Sequence, residues 1–125
     1  LPASEVQSNS QLAVEGAIEY LDANFHKAIQ LPVLAARCGL SPRRFTDLFK
    51  KRTGRTLTDY LNARRIGYAQ ERLRETEHIL YSCYESGFRD VSYFYRVFKR
   101  HSGLTPGDYL AQLKGPAGEG EGRRA

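Results

Sequence analysis

Long apolar runs are missing from this chain of 125 residues. A helix that crosses a bilayer needs about 20 mainly apolar residues in a row, and no stretch here approaches that. The first ten residues, LPASEVQSNS, lack both the basic region and the apolar region of a secretion signal. Cysteine is scarce as well. Cys38 and Cys83 stand far apart, each beside apolar residues. Two reduced thiols acting as small hydrophobes in a cytoplasmic protein are expected, with a disulfide between them as the alternative. His26, His78 and His101 are scattered singly, without zinc-ligand spacing. There is no glycine-rich phosphate loop and no nucleophile–base pattern. No catalytic residue, metal, cofactor or membrane partner is therefore expected, and an enzyme is the disfavoured class.

What the chain does have is positive charge in one place. Its net charge is +5 and its pI about 9.4. Between Arg43 and Arg65 lie Arg43, Arg44, Lys50, Lys51, Arg52, Arg55, Arg64 and Arg65, against only Asp47 and Asp59. Charge concentrated in this way points to a polyanionic partner. A hydrophobic content of 41% is enough for a core, so wholesale disorder is not expected.

The chain also repeats itself. Residues 54–61 read GRTLTDYL and residues 103–110 read GLTPGDYL, identical at five of eight positions. The repeat widens to GLSPRRFTDLFKKRTGRTLTDYL (39–61) beside GFRDVSYFYRVFKRHSGLTPGDYL (87–110), pairing Phe45 with Phe94, Phe49 with Phe98, and Lys50 with Lys99. Two copies of one supersecondary unit explain this most economically.

Each copy reads as helix, short glycine-containing turn, helix. In the first, Leu31, Leu34, Ala35 and Cys38 share a face at helical spacing, and Gly39 closes the helix. Ser41 then serves as N-cap, with Pro42 opening the next helix. That helix turns Phe45, Leu48 and Phe49 inward and Arg43, Thr46, Asp47 and Lys50 outward. In the second copy a helix opening at Thr76 or Glu77 is expected to run through 78–86 and stop at Gly87. Asp90 caps the following helix, with Phe94, Val97 and Phe98 inside and Val91, Ser92, Tyr95, Arg96 and Lys99 outside. The repeated phrase is a helix start: Thr56 and Thr105 are N-caps, and Asp59 and Asp108 stand three residues on, near the positive helix end.

After Thr56 the pattern continues without proline for about 20 residues, a rod of ~30 Å that compares with the ~34 Å between successive major-groove faces of B-DNA. Leu57, Leu61, Ile66, Ala69 and Leu73 form its inner stripe. A preceding amphipathic helix is expected to bury Leu12, Ile18, Leu21 and Phe25. The division is then a disordered leader at 1–10, a first helix-turn-helix subdomain at 11–56, a connecting helix at 57–76, a second subdomain at 77–114 and a disordered tail at 115–125.

From about Leu12 to Leu113 the chain resembles the DNA-binding domain of the AraC/XylS family of bacterial transcription regulators. GFRDVSYFYRVFKRHSGLTPGDYL carries the most specific part of the likeness, and YLNARRIGYAQERL, with Arg65, Ala69 and Leu73, carries more. The resemblance implies an all-α fold of about seven helices, in which two helix-turn-helix subdomains are joined by a long connecting helix. The second helix of each, about 42–52 and 91–101, would enter successive major grooves of double-stranded DNA. Arg43, Thr46, Asp47, Val91, Ser92, Tyr95 and Arg96 are the expected base readers, and Lys50, Lys51, Lys99 and Arg100 the expected phosphate contacts. RNA polymerase and a separate effector or dimerisation domain are the further partners implied. Four positions depart from the family pattern: Leu110, where a cation is usual; Asp47, where arginine is common; and Ser82 and Cys83, in place of an apolar residue and alanine. A helical protein-interaction module that binds no DNA is the alternative reading.

Overall fold

The computed structural model describes the backbone of residues 2–115 and the side chains of residues 9–115. Seven α-helices, and no strand, form among the described residues. The expected tail lies outside them except for Gly115. The chain divides into two compact units that meet between Arg64 and Arg65.

The first unit begins with α1 (Pro2–Asn24). Pro2 stands at its first position, where a missing N–H costs nothing. The segment expected as a disordered leader is thus taken up by this helix from Pro2 on. It buries Val14, Ala17 and Leu21, with Ile18 packed against the same core. Leu12, expected inside, is 67% exposed. The reason is angular: residues 14, 17, 18 and 21 share one stripe, and residue 12 points away from it at 100° per residue.

A short α2 (Leu31–Arg37) contributes Leu34 and Ala35 to this core. It ends where Gly39 takes φ +71°, so that Leu40 N–H reaches the Ala35 carbonyl and Gly39 N–H the Ala36 carbonyl. Ser41 follows as N-cap of α3 (Pro42–Thr53), its hydroxyl accepting from Arg44 N–H at 3.1 Å. Phe45 and Phe49, one turn apart, are fully buried, and their rings stack with centroids 5.6 Å apart. Leu61 closes the unit from α4 (Leu57–Thr76), which opens on Thr56 as its hydroxyl accepts from Asp59 N–H.

The second unit has its own core. The later part of α4 supplies Ile66, Ala69 and Leu73. The helix read as a separate connector is therefore shared, Leu61 serving one core and these three residues the other. α4 runs to Thr76, so neither Thr76 nor Glu77 opens the next helix. Thr76 donates its hydroxyl back to the Arg72 carbonyl and accepts from His78 N–H, while Glu77 takes φ +58°. His78 precedes α5 (Ile79–Glu85) as an N-cap without a side-chain bond. Gly87 ends the turn after α5, and Phe88 N–H reaches the Cys83 carbonyl.

Asp90 caps α6 (Val91–Ser102) by accepting from Tyr93 N–H, and Phe94, Val97 and Phe98 are fully buried. α7 (Pro106–Leu113) starts on Thr105, which accepts from Asp108 N–H at 3.1 Å. Tyr109 of α7 packs edge-on against Phe98 and accepts a hydrogen bond from Arg74 at 2.7 Å. One flaw stands out in this core. Ser82 is wholly buried, and its hydroxyl has no partner among the described residues.

Candidate nucleic-acid interface

Two helices, α3 and α6, carry the residues that the sequence marks for DNA, and each is fixed from behind by a buried phenylalanine pair. Capping at both ends fixes them further. Gly54 and Gly103, at φ +78° and +81°, end the two helices, each donating its N–H to a lysine carbonyl, that of Lys50 or Lys99. Just before each glycine a hydroxyl ties the last helical turn to the loop beyond it. Thr53 Oγ1 donates to the Phe49 carbonyl and accepts from Arg55 N–H, and Ser102 Oγ donates to the Phe98 carbonyl and accepts from Leu104 N–H. With so much of each end tied down, the outward side chains stand on rigid supports, which is what precise reading needs.

On α3, Arg43, Asp47, Lys50 and Lys51 are exposed, as expected. Thr46 is half-buried, and its hydroxyl donates to the Pro42 carbonyl at 2.7 Å. With the hydroxyl proton committed to its own helix, Thr46 is left with its methyl and an acceptor for a ligand. On α6, Ser92, Tyr95, Arg96, Lys99 and Arg100 are exposed. Val91 is a partial exception, because it packs against the second core and keeps only part of its surface outside. Tyr95 is 37% exposed and sits edge-on to buried Phe94, which anchors the ring while leaving its hydroxyl end free to project. The Arg96 guanidinium lies 5.6 Å from the centre of the Tyr93 ring, a cation–π contact that restrains it.

The structure brings four of the expected residues of the second unit to one place. Tyr95, Arg96, Lys99 and Arg100 line a shallow concavity of about 460 Å³, and Thr105 completes its wall. The sequence marks Thr105 only as a helix cap. Its position two residues after the helix-ending Gly103 already placed it beside the last turn of α6.

The cations differ in how free they are. Lys50, Lys51, Lys99 and Arg100 have no ion-pair partner among the described residues, and they fall in the last turns of α3 and α6, where positive charge suits the helix dipole. Arg52, by contrast, is paired with Glu15. Arg64 is held by Asp22, which also accepts from the Tyr60 hydroxyl at 2.6 Å. Arg65 is half-buried with its guanidinium 6.0 Å from the centre of the Phe88 ring. Burial, helped by Arg89 and opposed by Tyr93, lowers its affinity for the proton. These three arginines serve the fold in the free protein.

The two thiols are free and poorly placed for chemistry. Cys83 is buried, and burial, with Asp90 adding to it, pushes its pKa up to about 11. Cys38 is half-buried and donates to the Ala13 carbonyl; burial raises its pKa against the pull of Arg37.

Comparison with known proteins agrees with the geometry. A family profile described as a helix-turn-helix domain matches residues 34–112. The regulatory protein SoxS of Salmonella typhimurium is 30% identical over 104 residues, covering 82% of this chain and 97% of SoxS. Among solved structures, the DNA-binding domain of the global transcriptional factor AdpA, crystallised with a target DNA, is 26% identical with a TM-score of 0.73, covering 81% of this chain and 92% of that one. A transcriptional regulator of Chromobacterium violaceum, described as an AraC-type DNA-binding domain-containing protein, is 25% identical with a TM-score of 0.72 over 87% of this chain and 98% of its own.

Proposed function

The chain belongs to the AraC/XylS family and is a helix-turn-helix DNA-binding domain of a transcription regulator; from that premise we propose that α3 and α6 both read bases, entering successive major grooves of one duplex. One observation carries the reading. Each helix buries two phenylalanines on one side and presents an exposed polar face with free cations at its C-terminal end on the other. An α-helix fits the major groove, where bidentate contacts by arginine to guanine and apolar contacts to the thymine methyl discriminate base pairs.

The roles divide by chemistry. Arg43 and Arg96 are suited to guanine O6 and N7. Val91 and the Thr46 methyl are suited to thymine, and Asp47 to the cytosine amino group. Ser92 and Tyr95 supply hydroxyls. Lys50, Lys51, Lys99 and Arg100 take phosphates, which sets position without reading sequence. The 20 residues of α4, at about 1.5 Å each, are long enough to suit one turn of DNA.

Beyond DNA, the family resemblance leads us to place the protein in the cytoplasm as an activator that contacts RNA polymerase, alongside an effector or dimerisation domain. Selection from random duplexes followed by footprinting tests the central reading. A protected stretch of roughly 15–20 base pairs is expected if both helices dock. Protection of one groove face alone would remove the two-helix reading. Failure to enrich any duplex would favour a protein-interaction module instead.

A further inference from the structure

Val14 of α1 and Leu48 of α3 belong to the first core, and both also line a groove of about 470 Å³ between the two helices. Leu12 adds a third apolar wall. At 67% exposure it is the most exposed large hydrophobic side chain among the described residues. Glu15, Lys51 and Arg52 supply the charge. Glu15 is paired with Arg52, so those two charges cancel. Lys51 has no ion-pair partner among the described residues and leaves the groove one positive charge beside its apolar surface.

The size of the groove selects the kind of occupant. A stable protein interface takes about 800 Å² and 20–30 residues from each partner, whereas seven residues line this groove. Its volume falls instead in the range of roughly 300–1,000 Å³ that suits small ligands. The chemistry narrows the choice further. Three apolar side chains offer nothing to a phosphate backbone, and a lone ammonium offers nothing to pure hydrocarbon. A short chain ending in a carboxylate satisfies both.

We propose that this groove binds a small amphipathic carboxylate, its chain on Leu12, Val14 and Leu48 and its charge on Lys51, and that the bound acid withdraws Lys51 from DNA. Binding stands on the groove alone, while the coupling rests on the assignment of Lys51 to phosphate under the proposed function. At about 100° per residue, Lys51 falls on α3 between Asp47 of the reading face and Leu48 of the groove. One ammonium does not neutralise two anions at once. The acid therefore competes with one phosphate, and affinity falls for every duplex without a change in base preference. That is an effector site inside the DNA-binding domain itself.

The test titrates octanoate into the whole isotope-labelled chain and follows amide chemical shifts, which are expected to move around Leu12 and Lys51. Hexanoate should bind roughly 4- to 15-fold more weakly, since two methylenes are lost from a partly open groove. Octanol, which keeps the chain and lacks the charge, should bind about fivefold more weakly, and octylamine more weakly still. Acetate at equal concentration holds the ionic strength fixed. Leu12→Gln, at an exposed position and with similar helix propensity, should lose octanoate binding and keep wild-type affinity for a random duplex. On that duplex, saturating octanoate should reduce the wild-type salt slope by about 0.9, as Lys51→Ala does, and leave the slopes of both variants unchanged. Octylamine binding as tightly as octanoate would overturn the site, as would octanoate shifts that survive Leu12→Gln. If octanoate binds there and leaves the slope unmoved while Lys51→Ala lowers it, the phosphate contact stands and the coupling falls. If Lys51→Ala also leaves the slope unmoved, the phosphate reading falls and takes the coupling with it.

Discussion

Raising salt should weaken binding to a random duplex with a slope that the free cations set. Four of them, Lys50, Lys51, Lys99 and Arg100, are exposed and without an intramolecular counter-ion among the described residues. Each phosphate neutralised on a duplex contributes about −0.9 to the slope of log Kobs against log salt, giving roughly −3.6 for the four. Between about 50 and 200 mM salt, affinity should then fall roughly 150-fold. Removing one charge with Lys99→Ala should lower the slope to roughly −2.7 and the fall to roughly 40-fold. Arg52 is the informative contrast. It stands beside Lys51 in the last turn of α3 but is already paired with Glu15. Arg52→Ala should therefore move the slope less than Lys51→Ala does.

The slope is a better readout than affinity at one salt concentration. A lysine in the last turn of a helix also stabilises the free protein through the helix dipole, by about 0.3–1 kcal/mol, and its removal can weaken binding indirectly. That indirect loss leaves the number of released counter-ions unchanged. Anisotropy titrations of each variant across a salt series give the numbers. A wild-type slope near −1, or a slope that Lys99→Ala leaves unchanged, would refute the assignment of these side chains to phosphate. An equal effect of Arg52→Ala and Lys51→Ala would show that the Glu15 pair opens on DNA.

Stability offers independent checks. Ser82→Ala should stabilise the second unit by about 1 kcal/mol in thermal or urea unfolding, because it removes a buried hydroxyl without a partner; destabilisation would mean that the hydroxyl is satisfied. Gly103→Ala should cost about 1–2 kcal/mol, since φ is +81° there although open space surrounds the added carbon. Gly67→Ala, inside α4 with nothing within 4 Å of its added carbon, should instead stabilise by about 1 kcal/mol, and the same sign for both variants would contradict the backbone argument. Tyr60 is pushed up to about 12, by burial first and then by its hydrogen bond to Asp22. Because the folded value is raised, its contribution to stability is complete below the ordinary tyrosine value of about 10 and disappears as pH climbs through about 12. Subtracting the tyrosinate absorbance titration of Tyr60→Phe from that of the wild type should leave a step near the upper value, and a step near the lower one would refute the pairing.

The sequence made the two helix-turn-helix units legible because their ends are written in residues with few other uses. Glycine in the left-handed region, Ser41 before Pro42, and the threonine–aspartate spacing of Thr56 and Thr105 each imply one local geometry, and each was found in it. Where a residue type permits two geometries, the reading slipped. Thr76 reads as a possible helix start because a threonine hydroxyl can cap forward. It instead bonds back to the Arg72 carbonyl inside α4, and sequence does not distinguish these uses. Leu12 is a different failure, since the signal was there. Its neighbours at three, four and seven residues on are Glu15, Gly16 and Glu19, which do not extend an apolar stripe. In the candidate site, exposure of the charged positions could be read from period alone. The back-bonded hydroxyl of Thr46 and the partial burial of Val91 could not, because both depend on packing that no spacing rule describes.

The repeat itself separates what folding requires from what recognition requires. Across the two units the chain keeps the phenylalanine pair, the terminal glycine, the bridging hydroxyl, the threonine cap and the aspartate three residues after it. These are the positions whose geometry is visible in caps, bonds and burial, and changing any of them has a named structural cost. Apart from the shared lysines Lys50 and Lys99, the outward positions differ: Arg43 against Ser92, Thr46 against Tyr95, Asp47 against Arg96. None of the six is needed to close a core. A scaffold copied once with its exposed face rewritten yields two readers of equal rigidity and unequal chemistry. Such a pair has no reason to favour a symmetric site, so an operator read by one chain should carry a direction.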